Sequence, residues 1–598
     1  MGQGSRDTIR GLISLERLAM PSISRGIFCL LPALFALPLC SQPAPPADLV
    51  LRHGAIYSMD ASRGWAEAVA ISGSRLVFVG ADREVAAFVG PQTRVVDLAG
   101  RFVLPGFHDS HVHLVSGGIE LGQCDLNGSK TPDEVISRVK ACAAAKPGDS
   151  WIVGGGWDLP LFPQANPHKR LLDEIVPDRP VYLSAADGHS TWVNSKALQM
   201  AGITRETPDP PRGRIERDAE GNPTGTLREA AADLVDEHLP ETTAAERTEG
   251  LRRSVERAHG FGIVSAQEAS AGAESLATFR ALDAAGELNL RVVVANYVDP
   301  EKGAAQVADF VRRRDDPAGK DAPHVKATAA KIFADGVIEA GTAALLAPYL
   351  GERGKDGWRG ELEIAPERFA EIATALDAAG FQIHVHAIGD RAIRASLDAL
   401  AAARGANGAR DARPLLAHIQ LFDPADVPRF RRLGAIADFQ PLWAYADPYI
   451  VDLTEPQLGP ERSRWLYPMG SLHRSGATLA AGSDWSVSSL DPLQAIEVAV
   501  TRCDPELSAP CEKPWLPDER LDLPTILAAY TIGGAFANFE ERESGSLEAG
   551  KLADLIVLDR NLFEIPAHEI SEAKVLATLF EGRVVSGTLP SASTGGTR

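Results

Sequence analysis

The chain has 598 residues, of which 45% are hydrophobic and 23% charged, an ordinary globular composition rather than a disordered or fibrous one. Its formal net charge of −20 argues against nucleic acid and anionic membrane surfaces as partners. A small-molecule substrate remains the natural partner class, and a homo-oligomer stays open.

In chain order, the first feature is "GIFCLLPALFALPLC", residues 26–40. It is too short to span a bilayer comfortably. Basic residues precede it and "SQPAPPA" follows, the layout of a secretory signal peptide over residues 1–42. Met20 is an alternative start, and Cys40 an alternative lipid-anchored first residue of an exported, periplasmic or secreted chain. Of the six cysteines, Cys29 and Cys40 lie in this segment. The other four form an even set, which in an exported protein suggests disulfides. Cys503 and Cys511 close a short loop and are the preferred pair; Cys124 with Cys142 is the second.

Short strands with glycine turns follow over residues 46–104, and again over 543–592. Each piece is too small to bury a good core alone, so the two are expected to pair into one small β-sandwich. The region between them, 105–542, alternates apolar runs with Ala-rich helical stretches, the pattern of a parallel α/β sheet or barrel. Nine runs stand out: 102–107, 181–185, 262–266, 290–297, 327–334, 381–387, 414–419, 435–439 and 477–482. A (β/α)8 TIM-like barrel needs eight. The stretch 120–245 is rich in Pro, Gly and charge, so the run at 181–185 is assigned to an insertion.

Active sites of such barrels sit at the C-terminal ends of the strands. "PGFHDSHVHL" (105–114) puts His111 and His113 two apart, hence on one face of a strand, where two imidazoles can grip one ion. Lys331 falls in "TAAKIFADG", His384 and His386 in "FQIHVHAIGD", His418 in "LLAHIQ" and Asp484 in "LAAGSDW". Each residue alone is weak evidence, but five strand ends carrying metal-liking groups point to a metal site. His108 is expected to face away, Asp109 to serve a turn, and Lys326 to point to the other side of its strand.

Together, "PGFHDSHVHL", "KIFADG", "HAIGDRA", "AHIQ" and "AAGSDWSV" resemble the amidohydrolase superfamily of metal-dependent hydrolases. The branch they resemble is amidohydrolase family 3, which includes N-substituted formamide deformylases. That resemblance implies His111, His113 and Asp484 on a first divalent ion, His386 and His418 on a second, and Lys331 bridging both as a carbamate. His384 is an alternative ligand. Zinc is the expected metal, because imidazole and carboxylate suit it. Asp484 would accept a proton from water and pass it to the leaving nitrogen of an amide or cyclic amide.

Substrate contacts are expected from Trp157 in "GGGWDL", His189 in "AADGHSTWVNSKAL", and Gln440 and Trp443 in "FQPLWAYAD". The chain departs from the family pattern at Ala417 and Glu268 and in "DGVIEAGTA", around the expected ligands rather than on them. Competing readings are an ester or lactone hydrolase on the same metals, a mononuclear deaminase, and a binding protein that reuses the barrel.

Overall fold

The computed structural model describes residues 45–590 apart from 147 and 149. The expected signal peptide, Cys29 and Cys40 lie outside the described residues.

Eight parallel strands form the central sheet. They are β1 (Phe107–Val112), β2 (Ile263–Ala271), β3 (Arg291–Tyr297), β4 (Val325–Phe333), β5 (Gln382–Ala387), β6 (Leu415–His418), β7 (Ile436–Phe439) and β8 (Thr478–Ala481). Each pairs with the next in sequence, so the order around the sheet runs from β1 to β8 without a crossover. Beyond the ends of β1 and β8 the sheet is stitched shut. Asp484 N donates to His111 O at 2.7 Å, and His113 N to Trp485 O at 2.9 Å. A side chain at Gly482 would put its Cβ 2.5 Å from His111 N, so this close approach requires glycine. Asp109 is a buried strand residue, not the turn residue expected. Its Oδ1 accepts from His111 N (3.1 Å) and Ser483 N (3.0 Å), tying the first strand to the last.

The run at 102–107 is not one barrel strand: it divides at "PGF", where the sandwich strand passes into the barrel. Phe102–Pro105 belongs to the sandwich, where it pairs antiparallel with Leu555–Leu558. The barrel strand begins only at Phe107. The break at Pro105–Gly106 has a packing cause: a Cβ on Gly106 would lie 2.5 Å from Val264.

Both ends of the described chain build the sandwich. A four-stranded sheet holds Leu49–Arg52, Ala68–Ser72, Arg75–Gly80 and Arg94–Asp97. A six-stranded sheet combines Ala55–Tyr57, Trp65–Ala66 and Phe102–Pro105 with Leu555–Leu558, Val575–Phe580 and Arg583–Gly587. Leu49, Leu51, Val69, Val96 and Val103 share one core with Leu555, Val557 and Leu579. Each such side chain contributes about 1.5–3 kcal/mol when fully buried, which neither sequence piece could gather alone.

A third sheet lies in the insertion. Six strands, including Val181–Ala185, Ser190–Val193 and Pro223–Glu229, surround their own cores. Cys124, on an edge strand of this sheet, is bonded to Cys142 in the helix Pro132–Ala145. Cys503 is bonded to Cys511. Among the described residues, no helix is long and apolar enough to cross a membrane.

Candidate metal centre

The C-terminal ends of β1, β4, β5, β6 and β8 converge. Asp484 follows β8 and adopts φ 53°, a left-handed conformation that aspartate tolerates better than most residues. Its Oδ1 lies 3.0 Å from His113 Nε2 and 3.4 Å from His111 Nε2. His418 Nδ1 is 3.9 Å from Asp484 Oδ2. Candidate ligand atoms of His111, His418 and Asp484 all lie within 4.8 Å of one another. Lys331 Nζ sits 3.0 Å from His111 Nε2. The His386 ring lies 4.6 Å from that of His418, completing the set. All but His113 are buried; its side chain is 22% exposed and lines the mouth.

The electrostatics suit cation ligands. Burial, reinforced by the neighbouring Lys331 and by other histidines, pushes His111, His384 and His386 well below the usual histidine range. Burial likewise takes His418 down to about 3, against the pull of Asp484. These are neutral imidazoles with lone pairs to offer. Burial alone would raise Asp484. The hydrogen bond from His113 and the charge of Lys331 outweigh it, holding the carboxylate below its usual range. Burial pushes Lys331 down to about 8, against Asp484 and Asp438. The donor set therefore fits a divalent cation: neutral imidazoles, an ionised carboxylate beside His113, and a lysine disposed to lose its proton.

His384, the alternative ligand, has another task. Gln382 Nε2 donates to two backbone carbonyls, Arg413 O and Ala537 O, both at 2.8 Å. That fixes its Oε1 as an acceptor, which takes the Nε2 proton of Gln267 at 2.9 Å. Gln267 Oε1 must then accept from His384 Nδ1. His384 Nε2 is left to accept from His111 Nδ1 at 2.8 Å. The chain of donors ends by presenting the bare Nε2 of His111 to Lys331 and Asp484. Such tautomer-setting contacts typically change metal affinity ~10–100-fold. Gln267→Leu is accordingly expected to weaken metal binding by about tenfold or more. Titration with a competing chelator measures this, and unchanged affinity would contradict it.

Other predicted residues divide clearly. Gln440 is buried and its Oε1 lies 2.7 Å from His418 Nδ1, so it orients that ring. Trp443 stacks on His418 at 5.5 Å and 14°. Trp157 is not at the cleft. It is fully buried against Phe162 and Trp192 and donates to Leu183 O, so it belongs to the insertion core. The glycines before it serve close strand contact: a Cβ on Gly154 would sit 2.2 Å from Cys124 O. His189 does reach the site, its ring 5.0 Å from His386. Burial would depress His189, but Glu229 and Asp187 outweigh it and raise it to about 9. Glu268 accepts from Leu114 N at 2.8 Å and anchors the helix that follows His113. His108 contacts Ser544 and Glu540, and Lys326 pairs with Glu540, away from this cluster.

Sequence reasoning missed Asp438. Its Oδ1 accepts from Ser110 at 2.6 Å, and its Oδ2 faces His111 Nδ1 and His384 Nε2, each at 3.8 Å. Burial raises it to about 8. The available signal was an acid inside the apolar run "AIADF".

The sequence profile of the amidohydrolase family matches residues 94–586. The chain belongs to the amidohydrolase family. This amidohydrolase is 34% identical to Protein LONG AFTER FAR-RED 3 of Arabidopsis thaliana, over 90% of its own length and 91% of the plant protein. It is 30% identical to N-substituted formamide deformylase of Arthrobacter pascens, over 90% and 97%. An uncharacterised metal-dependent hydrolase of Pyrococcus horikoshii is 25% identical and superposes with a TM-score of 0.67, over 87% of this amidohydrolase and 99% of the archaeal chain. This amidohydrolase is accordingly a metal-dependent hydrolase acting on carbon–nitrogen bonds.

Proposed function

We propose that this amidohydrolase holds two zinc ions and hydrolyses the C–N bond of N-substituted formamides or closely related small amides. The observation that carries the reading is the convergence of His111, His113, Lys331, His386, His418 and Asp484 at five strand ends. His111, His113 and Asp484 would hold one ion, and His386 and His418 the other. Lys331 would bridge them after its neutral amine adds to CO₂ and loses a proton, giving an anionic carbamate. Metal ions in such a set lower the pKa of water and polarise a carbonyl.

The protein's own groups do the rest. Asp484, ionised and beside His113, accepts a proton from the attacking water. The carbonyl carbon gains the water oxygen, and the C–N electron pair leaves with nitrogen, which then needs a proton. Trp443 on His418, with Phe333 5.2 Å from the His386 ring, offers apolar surface to an N-substituent. The substrate class is supported by the Arthrobacter pascens relative. An exported location is part of the proposal, supported by the two disulfides.

Elemental analysis of purified protein should find two zinc ions per chain. Chelation should lower the hydrolysis of N-alkyl and N-aryl formamides at least ~100-fold, and zinc should restore it. A fully active protein with one ion or none would defeat the binuclear reading. Full activity after complete metal removal would defeat the mechanism.

A further inference from the structure

The insertion sheet ends directly over the metal ligands. Ser190 pairs with Arg228 in its antiparallel ladder, which places His189 and Glu229 opposite each other one residue further on. Glu229 N donates to His189 O at 3.1 Å, closing the ladder at this end. The two side chains also meet, with His189 Nδ1 2.9 Å from Glu229 Oε2.

Several features exist to hold this pair in place. Glu229 has φ 48°, a left-handed conformation that costs a non-glycine residue free energy. Its other oxygen, Oε1, accepts from Thr342 Oγ1 at 2.7 Å. Thr342 belongs to the loop that follows Lys331. In the same loop, a Cβ on Gly336 would lie 2.2 Å from Glu229 Oε1, so only glycine admits the carboxylate. Asp187 Oδ1 accepts from His189 N at 3.0 Å and shapes the turn that carries the histidine. Arg228, next to Glu229 and fully buried, is fixed by Ser190, Ala165 and Asn166. Barrel loop and insertion are thus built around one imidazole.

With Nδ1 committed to Glu229, His189 has one nitrogen left. Among the described residues no hydrogen-bond partner of Nε2 is found, and the side chain keeps 14% of its surface exposed. The ring lies 5.0 Å from His386, and His386 lies 4.6 Å from His418. The ring that carries Nε2 therefore borders the space over these side chains.

We propose that His189, oriented by Glu229, is a second catalytic residue that delivers the proton to the leaving nitrogen. The inference rests on the amide-hydrolase reading above. The step balances as follows. Asp484 takes one proton from water, and the remaining hydroxyl oxygen bonds to the carbonyl carbon. As the C–N bond breaks, its electron pair stays on nitrogen, which takes the Nε2 proton of His189. The amine leaves neutral, and the proton held by Asp484 then passes to His189, restoring both groups. Glu229 stays ionised throughout and stabilises the protonated ring, as a carboxylate does for a catalytic histidine.

A group that protonates a leaving group matters only when the leaving group needs a proton. The test compares an N-alkyl formamide with an aryl formate ester, whose phenolate departs unprotonated, in wild type, His189→Gln and Glu229→Gln. Both variants should lose ~10²–10³-fold in kcat on the amide and less than ~5-fold on the ester, with metal content unchanged. Along a series of N-aryl formamides, the loss should grow as the departing amine becomes more basic. Equal losses on ester and amide, or no loss in either variant, overturn the assignment while leaving the hydrolase reading intact. A metal-loaded wild type that turns over none of the amides overturns both.

Discussion

Lys331→Met is expected to lower kcat/KM by on the order of 10³-fold, ~4 kcal/mol of transition-state stabilisation, and to release metal. Lys331 is 1% exposed, with Nζ 3.0 Å from His111 Nε2 and 5.0 Å from the centre of the Phe333 ring. An ammonium there would face incoming cations, with no lone pair to offer. A carbamate would reverse the sign and supply two oxygens. Methionine fills the space without either option, so the comparison with Lys331→Ala separates lost packing from lost ligation. If the carbamate is real, metal uptake by stripped protein must require bicarbonate. It must also quicken as pH rises through about 8, because burial places the Lys331 amine there. The sign follows from the chemistry: the neutral amine is the reactive form. It makes up roughly half of the population at that pH, against less than about one per cent for an ordinary lysine. Retention of both ions and full activity in Lys331→Met would defeat the bridging role.

The parts of the site legible in the sequence are those where a short-range period and a chemical type coincide. His111 and His113 share a face because strands repeat every two residues, and both reach Asp484. The strand-end positions of Lys331, His386 and His418 follow from the alternating pattern once the insertion is set aside. Gln267 and Gln382 could not be read this way. An amide inside an apolar strand has no signature, and its role appears only when Arg413 O and Ala537 O fix its orientation from distant segments. His189 was visible as a residue, but Glu229, 40 positions later, becomes its partner only through the ladder between Ser190–Val193 and Pro223–Glu229. Trp157 misled for a physical reason. Glycines beside a tryptophan look like a substrate loop, yet here they let strands touch and the ring fill a core. At Pro105–Gly106 one apolar run crosses from sandwich to barrel, and the turn "PGF" is what marks the passage.

Asp484→Asn separates proton transfer from architecture. The backbone at Asp484 is left-handed, with its N–H donating to His111 O at 2.7 Å, and asparagine accepts that conformation nearly as well as aspartate. The closure of β1 on β8 should therefore survive, and with it the fold. What changes is the charge facing His113, His111 and His418. A carboxylate held below its usual range is ionised throughout the neutral region, so it can take a proton from water there. An amide cannot. The expected result is a ~10²–10⁴-fold fall in kcat, with the thermal midpoint within about 3 °C of wild type. Removing an anion should also weaken binding of the ion proposed to sit with His111 and His113, so the assay belongs at saturating metal. Under those conditions, KM on the ester and on the amide should move little while kcat falls on both, because both reactions begin with the same water. That contrasts with His189→Gln, which should spare the ester. A kcat within tenfold of wild type in metal-loaded Asp484→Asn would show that the water loses its proton elsewhere. Asp438, which faces the back of His111, is 3.8 Å from Nδ1 and raised by burial to about 8. It is largely protonated at neutral pH and lies on the wrong side of the ring, so it is a poor substitute. The proposed proton transfer therefore rests on Asp484, and this substitution tests it directly.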